Sequence, residues 1–87
     1  MATKDIAVDE KAILLLMNSS FDVYVNTEDG HYKFWAISTK DFEATCRWGK
    51  IGTKMQELVK NFSSKWTLDE FVRTKVNEKI NKGYKKL

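Results

Sequence analysis

Residues 42–48 read Phe42-Glu43-Ala44-Thr45-Cys46-Arg47-Trp48, and the fold turns on whether this stretch is strand or helix. Phe42, Ala44, Cys46 and Trp48 recur every second position, with Glu43, Thr45 and Arg47 between them, which is the period of a strand with one buried face. Helix here would exclude the sheet described below. The alternation also gives Cys46 a structural place. It is the only cysteine, beside a single histidine (His31), so neither an intramolecular disulfide nor a set of zinc ligands can be assembled. A nucleophilic thiol would need an activating base, and the spacing offers none.

The next residues, Gly49-Lys50-Ile51-Gly52-Thr53-Lys54-Met55-Gln56, concentrate types that folding alone does not require. Gly49 and Gly52 permit a positive φ and a close backbone approach, while Arg47, Lys50 and Lys54 surround the Trp48 ring with positive charge. Two readings fit: a platform for phosphate and sugar, or a β-turn with Trp48 in the core and cations that keep the turn wet. Beyond the turn, residues 56–62 supply a further strand, with Leu58 and Phe62 or Val59 facing the core. Upstream, residues 38–41 turn the chain. Residues 32–37 are apolar or aromatic except Lys33, so both faces of that strand should be covered. Glu28-Asp29-Gly30 suits a hairpin turn, and Phe21, Val23 and Val25 alternate with Asp22, Tyr24 and Asn26. Four sequential strands with short connections form an antiparallel meander.

Two stretches have helical spacing. Thr67 and Glu70 make a capping box with Trp66 as a staple onto Phe71, and Leu68, Phe71, Val72, Val76 and Ile80 form an apolar stripe that Gly83 ends, with Tyr84 folding back on the last turn. Lys79 lies inside the stripe, so its head must either reach an acid such as Glu43 or emerge beside the glycine turn. Near the start, Asp9 can cap a short helix through Ile13, Leu14, Leu16 and Met17; Leu and Met favour helix over a buried strand. Residues 1–8 read as frayed. The expected fold is α+β: an antiparallel sheet of about four strands over residues 21–62, packed against one C-terminal helix over residues 68–82. The expected division is an N-terminal extension, residues 1–20, and a domain, residues 21–87.

Trp48-Gly49-Lys50-Ile51-Gly52-Thr53-Lys54-Met55-Gln56, preceded by Phe34-Trp35-Ala36-Ile37 and followed by Phe71 and Lys79-Ile80-Asn81-Lys82-Gly83-Tyr84, resembles the WGR domain. The resemblance spans residues 21–84. It implies a small module of antiparallel sheet and one helix, found in some poly(ADP-ribose) polymerases, where it helps recognise DNA breaks, and in bacterial proteins of unclear role. A lysine at the place of Lys79 is typical of that family. Lys50 stands where the family has its signature Arg, exchanging a planar fork for a point charge, and Met55 stands where the family usually has Gly.

The charge is uneven. Residues 1–46 hold four cations against eight acids, a balance of −4, and residues 47–87 hold eleven against four, a balance of +7. That asymmetry points to a polyanion partner, although a solvated helix face and tail would look similar. No apolar run reaches the 18 or more residues of a membrane helix, and the short run at residues 13–17 makes a poor signal peptide, so a cytoplasmic monomer is expected. The expected function is a non-enzymatic nucleic-acid-binding module, DNA ahead of RNA, through Arg47, Trp48, Gly49, Lys50, Lys54 and Lys79, without metal or cofactor. The alternative is an adaptor that docks a protein partner within an assembly.

Overall fold

The computed structural model describes residues 9–30 and 32–87; the expectation for residues 1–8 lies outside them. The chain forms α1 (Glu10–Met17), β1 (Asp22–Asn26), a 3-10 turn (Glu28–Gly30), β2 (Lys33–Lys40), β3 (Glu43–Lys50), β4 (Gln56–Asn61), α2 (Lys65–Asn81) and β5 (Lys85–Lys86). The sheet is antiparallel with order β4-β3-β2-β1-β5. The α+β class and the meander hold. The fifth strand was not expected, because two consecutive lysines carry no periodicity; they are held by pairing with Tyr24 and Val25 on β1.

The sheet buries both faces. Val23, Phe34, Ala36 and Met55 pack with Ala12, Ile13 and Leu16 of α1, whereas Tyr24, Trp35, Ile37 and Cys46 pack with Phe71, Val72 and Val76 of α2. Strand β2 lies in the middle and is covered on both sides, as its apolar run predicts: Phe34 and Ala36 are wholly buried on one face, Trp35 and Ile37 nearly so on the other. The short helix α1 forms as expected, capped by the Asp9 carboxylate accepting the Ala12 N–H at 2.8 Å.

Several boundaries differ from the sequence reading. Helix α2 begins at Lys65, with Ser64 and not Thr67 as its cap: the Ser64 hydroxyl accepts the Thr67 N–H at 3.2 Å. Trp66 therefore falls in the first turn on the outer side, 72 % exposed, and does not staple onto Phe71. Phe62 takes that position, its ring centroid 5.1 Å from that of Phe71. The turn between β2 and β3 is only Asp41-Phe42, with Asp41 at φ 56, and it leaves Phe42 half exposed. Gly49 is a strand residue opposite Phe34, while Gly52 supplies the positive φ, 91. Strand β4 is not buried in a core, since it is an edge strand that α2 reaches only in part, through Phe71, Lys75 and Lys79 on one face; Leu58 and Val59 are both 46 % exposed.

The end of α2 is closed by a Schellman motif. The Tyr84 N–H donates to the Lys79 carbonyl and the Gly83 N–H to the Ile80 carbonyl, both at 3.0 Å, with Gly83 at φ 97. A β-carbon at Gly83 would also come within 3.1 Å of the Glu28 carboxylate, so this glycine serves the turn and the packing together. Tyr84 folds back as expected, but Ile80 stays half exposed because Lys79 and Tyr84 occupy the inward position.

Candidate nucleic-acid interface

Trp48 sits near the end of β3, between Trp35 on β2 and Gln56 on β4, and its side chain points to the α2 face, where it is half-buried. Two residues later the chain enters a tight turn over residues 50–53. The Thr53 N–H donates to the Lys50 carbonyl at 3.0 Å, and the Thr53 hydroxyl donates to the same carbonyl at 2.6 Å and accepts the Lys50 N–H at 3.3 Å. Gly52 takes the left-handed position that such a turn needs at its third residue. Met55 then plunges into the α1-side core, which anchors the loop and leaves Lys50 and Lys54 exposed.

An open groove of about 530 Å³ lies where these elements meet. Trp48, Gly49, Lys50 and Lys54 line it from β3 and the turn, Lys33 from β2, and Lys79 and Tyr84 from the end of α2. Four lysines surround the aromatic surface, and no carboxylate lines it. Among the described residues none of the four is held in an ion pair; the ion pairs are Arg47 with Glu57, Arg73 with Glu70, Lys75 with Glu78 and Lys86 with Asp22.

Register concentrates this charge. Lys33 and Lys50 are direct partners across the β2–β3 ladder. Side chains so placed have β-carbons about 5 Å apart, and like charges there are mutually destabilising. Lys79 adds a third cation from above, its Nζ 5.8 Å from the Trp35 ring centroid and 5.4 Å from that of Tyr84. Cation–π attraction holds it there. Of the two destinations open to Lys79 from sequence, the structure chooses the turn. Partial burial pushes its ammonium pKa down, and the charges of Lys82 and Lys75 push it further, opposed weakly by Glu78 and Cys46. Burial likewise raises the Tyr84 hydroxyl, so both groups in this corner are short of solvent.

Arg47 does not join the groove. One residue from Trp48 on a strand, it points to the opposite face, where its Nε donates to Glu57 Oε2 at 2.8 Å and its guanidinium lies 4.8 Å from the Phe21 ring centroid. Its surroundings there are Leu15, Leu16 and Met55. Lys33 and Tyr84 are groove residues that sequence reading missed. The signal for Lys33 was the position of the β2–β3 turn, because centring it on Asp41-Phe42 pairs residue 33 with residue 50. Cys46 is a buried core residue as expected, and burial raises its thiol pKa against the lowering effect of Lys75 and Lys79.

The fold and the groove together define a small basic α+β module with an aromatic and cationic surface at one end of its sheet. The model of the WGR domain matches residues 21–87, and the chain belongs to the WGR domain family. It is similar to Protein YehF of Escherichia coli (strain K12), 31 % identical over 61 residues, which cover 70 % of this chain and 22 % of that protein. It also superimposes on the crystal structure of a Bacteroides fragilis protein with a TM-score of 0.70 and 33 % identity, over 77 % of this chain and 19 % of that one. The chain spans about a fifth of the length of either relative.

Proposed function

We propose that the chain is a non-enzymatic nucleic-acid-binding module that grips DNA backbone, at ends or nicks, in the groove beside Trp48. The observation that supports this most is the gathering of Lys33, Lys50, Lys54 and Lys79 around a half-buried indole with no carboxylate on the wall. Such a groove favours a chain of phosphates with an exposed ring or sugar between them. Phosphates would also relieve the repulsion between Lys33 and Lys50 and the poor solvation of Lys79, so the ligand restores what the apo surface gives up. DNA comes before RNA because of the role that the family resemblance implies. Residues 9–20 and 21–87 act as one unit in this reading, since Ile13 and Leu16 fill the core behind the sheet.

Titration of labelled nicked duplex, intact duplex, single strand and RNA at several salt concentrations tests the reading. With about four phosphates neutralised, log affinity on duplex DNA should fall against log salt with a slope of about −3.6. A slope near zero, or no binding at low salt, removes nucleic acid as the partner. An adaptor role is the second reading, supported by Leu14, Leu15 and Met17, which α1 leaves exposed. Salt-tolerant retention on a protein would support it.

A further inference from the structure

The two edges of the sheet are unequal. Strand β5 is two lysines long, short and charged in the way that protects an edge from pairing. Strand β4 is six residues long, exposed at every position, and sets Leu58 and Val59 half exposed on its two faces. Its free backbone groups can be assigned from the ladder. The Phe62 N–H donates to the Phe42 carbonyl at 2.8 Å, and the same register pairs Lys60 with Ala44 and Leu58 with Cys46. By the alternation of an antiparallel ladder, Leu58 and Lys60 turn their N–H and C=O groups inward to β3, and Glu57, Val59 and Asn61 turn theirs outward.

Beside this edge, on the α2 face, lies a groove of about 260 Å³ with Cys46, Trp48, Leu58 and Phe71 as its apolar surface and Lys75 and Lys79 at its rim. Lys60 adds a cation on the same side, its Nζ 5.2 Å from the Phe71 ring centroid. No carboxylate lines this groove, and the acids adjacent in sequence to its residues are engaged: Glu78 with Lys75 at 3.5 Å, Glu70 with Arg73, and Glu57 with Arg47 on the other face.

We propose that β4 receives an extended acidic-apolar segment of a partner protein as a sixth, antiparallel strand. Main-chain groups of Glu57, Val59 and Asn61 hold the segment, and alternate side chains are read on the α2 face. Opposite Lys60 the segment carries an acid, which also faces Lys75. Two residues on, opposite Leu58, it carries an apolar side chain that enters the groove; Leu58 is then in a non-hydrogen-bonded pair, the kind that brings side chains closest. The residue between them is β-branched and covers Val59 on the other face. A second copy of this chain fits less well. Pairing β4 with itself so that the faces match sets Lys60 against Gln56 or Leu58, and no acid reaches the lysine rim.

The probe is a capped peptide, Ser-Glu-Val-Leu-Thr-Asp-Ser, titrated into the ¹⁵N-labelled chain. The amides of Glu57, Val59 and Asn61 should shift and gain protection from solvent exchange. Val59→Pro removes an N–H that points to solvent, a position where an edge strand tolerates proline, and should weaken the peptide about tenfold, the worth of one main-chain hydrogen bond. Leu58→Asp, a surface change, should weaken it as well and carries the test if the proline variant does not fold. Shifts without protection at those three amides, or equal binding by a peptide with Lys in place of its acids, would overturn the proposal. So would a concentration-dependent dimer of the parent chain that Val59→Pro abolishes, because the edge would then serve a second copy.

Discussion

Arg47 and Trp48 are neighbours in sequence and opposites in circumstance. On the α1 face, Arg47 lies over Phe21 and is paired with Glu57, among residues that complete an apolar core. On the α2 face, Trp48 is half-buried beside lysines that no acid among the described residues pairs with. One face of the sheet uses its polar groups for the fold, whereas the other leaves cations crowded at the rim of a groove, Lys79 among them poorly solvated. A strand's period of two suffices to make this separation, and composition alone does not reveal it: both residues belong to the same basic, aromatic stretch.

The comparison makes stability the property of one face and binding the property of the other. The largest effect is expected from Ile13→Ala, which empties a buried site between α1 and the sheet and should cost about 2 to 5 kcal/mol of stability. Thermal melts measure that, and DNA affinity of the folded fraction should not change. Next is Trp48→Ala, which should weaken DNA binding by about 1 to 3 kcal/mol, the range found for base–aromatic stacking, and lower the melt by less than Ile13→Ala does, because the ring is only partly buried. A variant that melts far below the parent would make Trp48 a core residue and erase the contrast.

Lys79→Met keeps the apolar stem and removes the charge. It should lower the magnitude of the salt slope by about one and leave stability equal or higher. The sign follows from the depressed pKa. The folded state disfavours the charged amine, so the penalty is present below the folded pKa and disappears as pH rises to the ordinary lysine value. Melting of the parent relative to Lys79→Met should therefore improve with pH across that window. Lys50→Glu converts a like-charge pair with Lys33 into an opposite one, which should raise stability by about 0.2 to 1 kcal/mol while weakening DNA binding. The smallest effect belongs to Arg47→Ala: about 0 to 1 kcal/mol of stability from its partly exposed ion pair, and no change in affinity.

Much of this arrangement is legible in the amino-acid sequence. The alternation through residues 42–48 and the covered run at residues 32–37 define the sheet, and the stripe of α2 defines its partner, because burial stamps a period on the chain. What stays hidden depends on partners far along the chain. Lys33 enters the groove only through the register that places it opposite Lys50, and Tyr84 only through the Schellman closure of α2. The cap at Ser64 escapes notice because Thr67 and Glu70 offer a competing signal three residues later, and the shift turns Trp66 outward. Strand β4 has apolar residues where a core strand would have them, yet at the edge of the sheet neither helix covers it fully. Periodicity marks a strand but not its place in the sheet.

The most direct test of the separation between faces is an amide and indole shift map of the ¹⁵N-labelled chain titrated with nicked duplex DNA. The expected shifts are at Lys33, at residues 48–54 including the Trp48 indole N–H, and at Lys79 and Tyr84, with Phe21, Arg47 and α1 unmoved. Shifts centred on Arg47 and α1, with the Trp48 indole unmoved, would contradict the account.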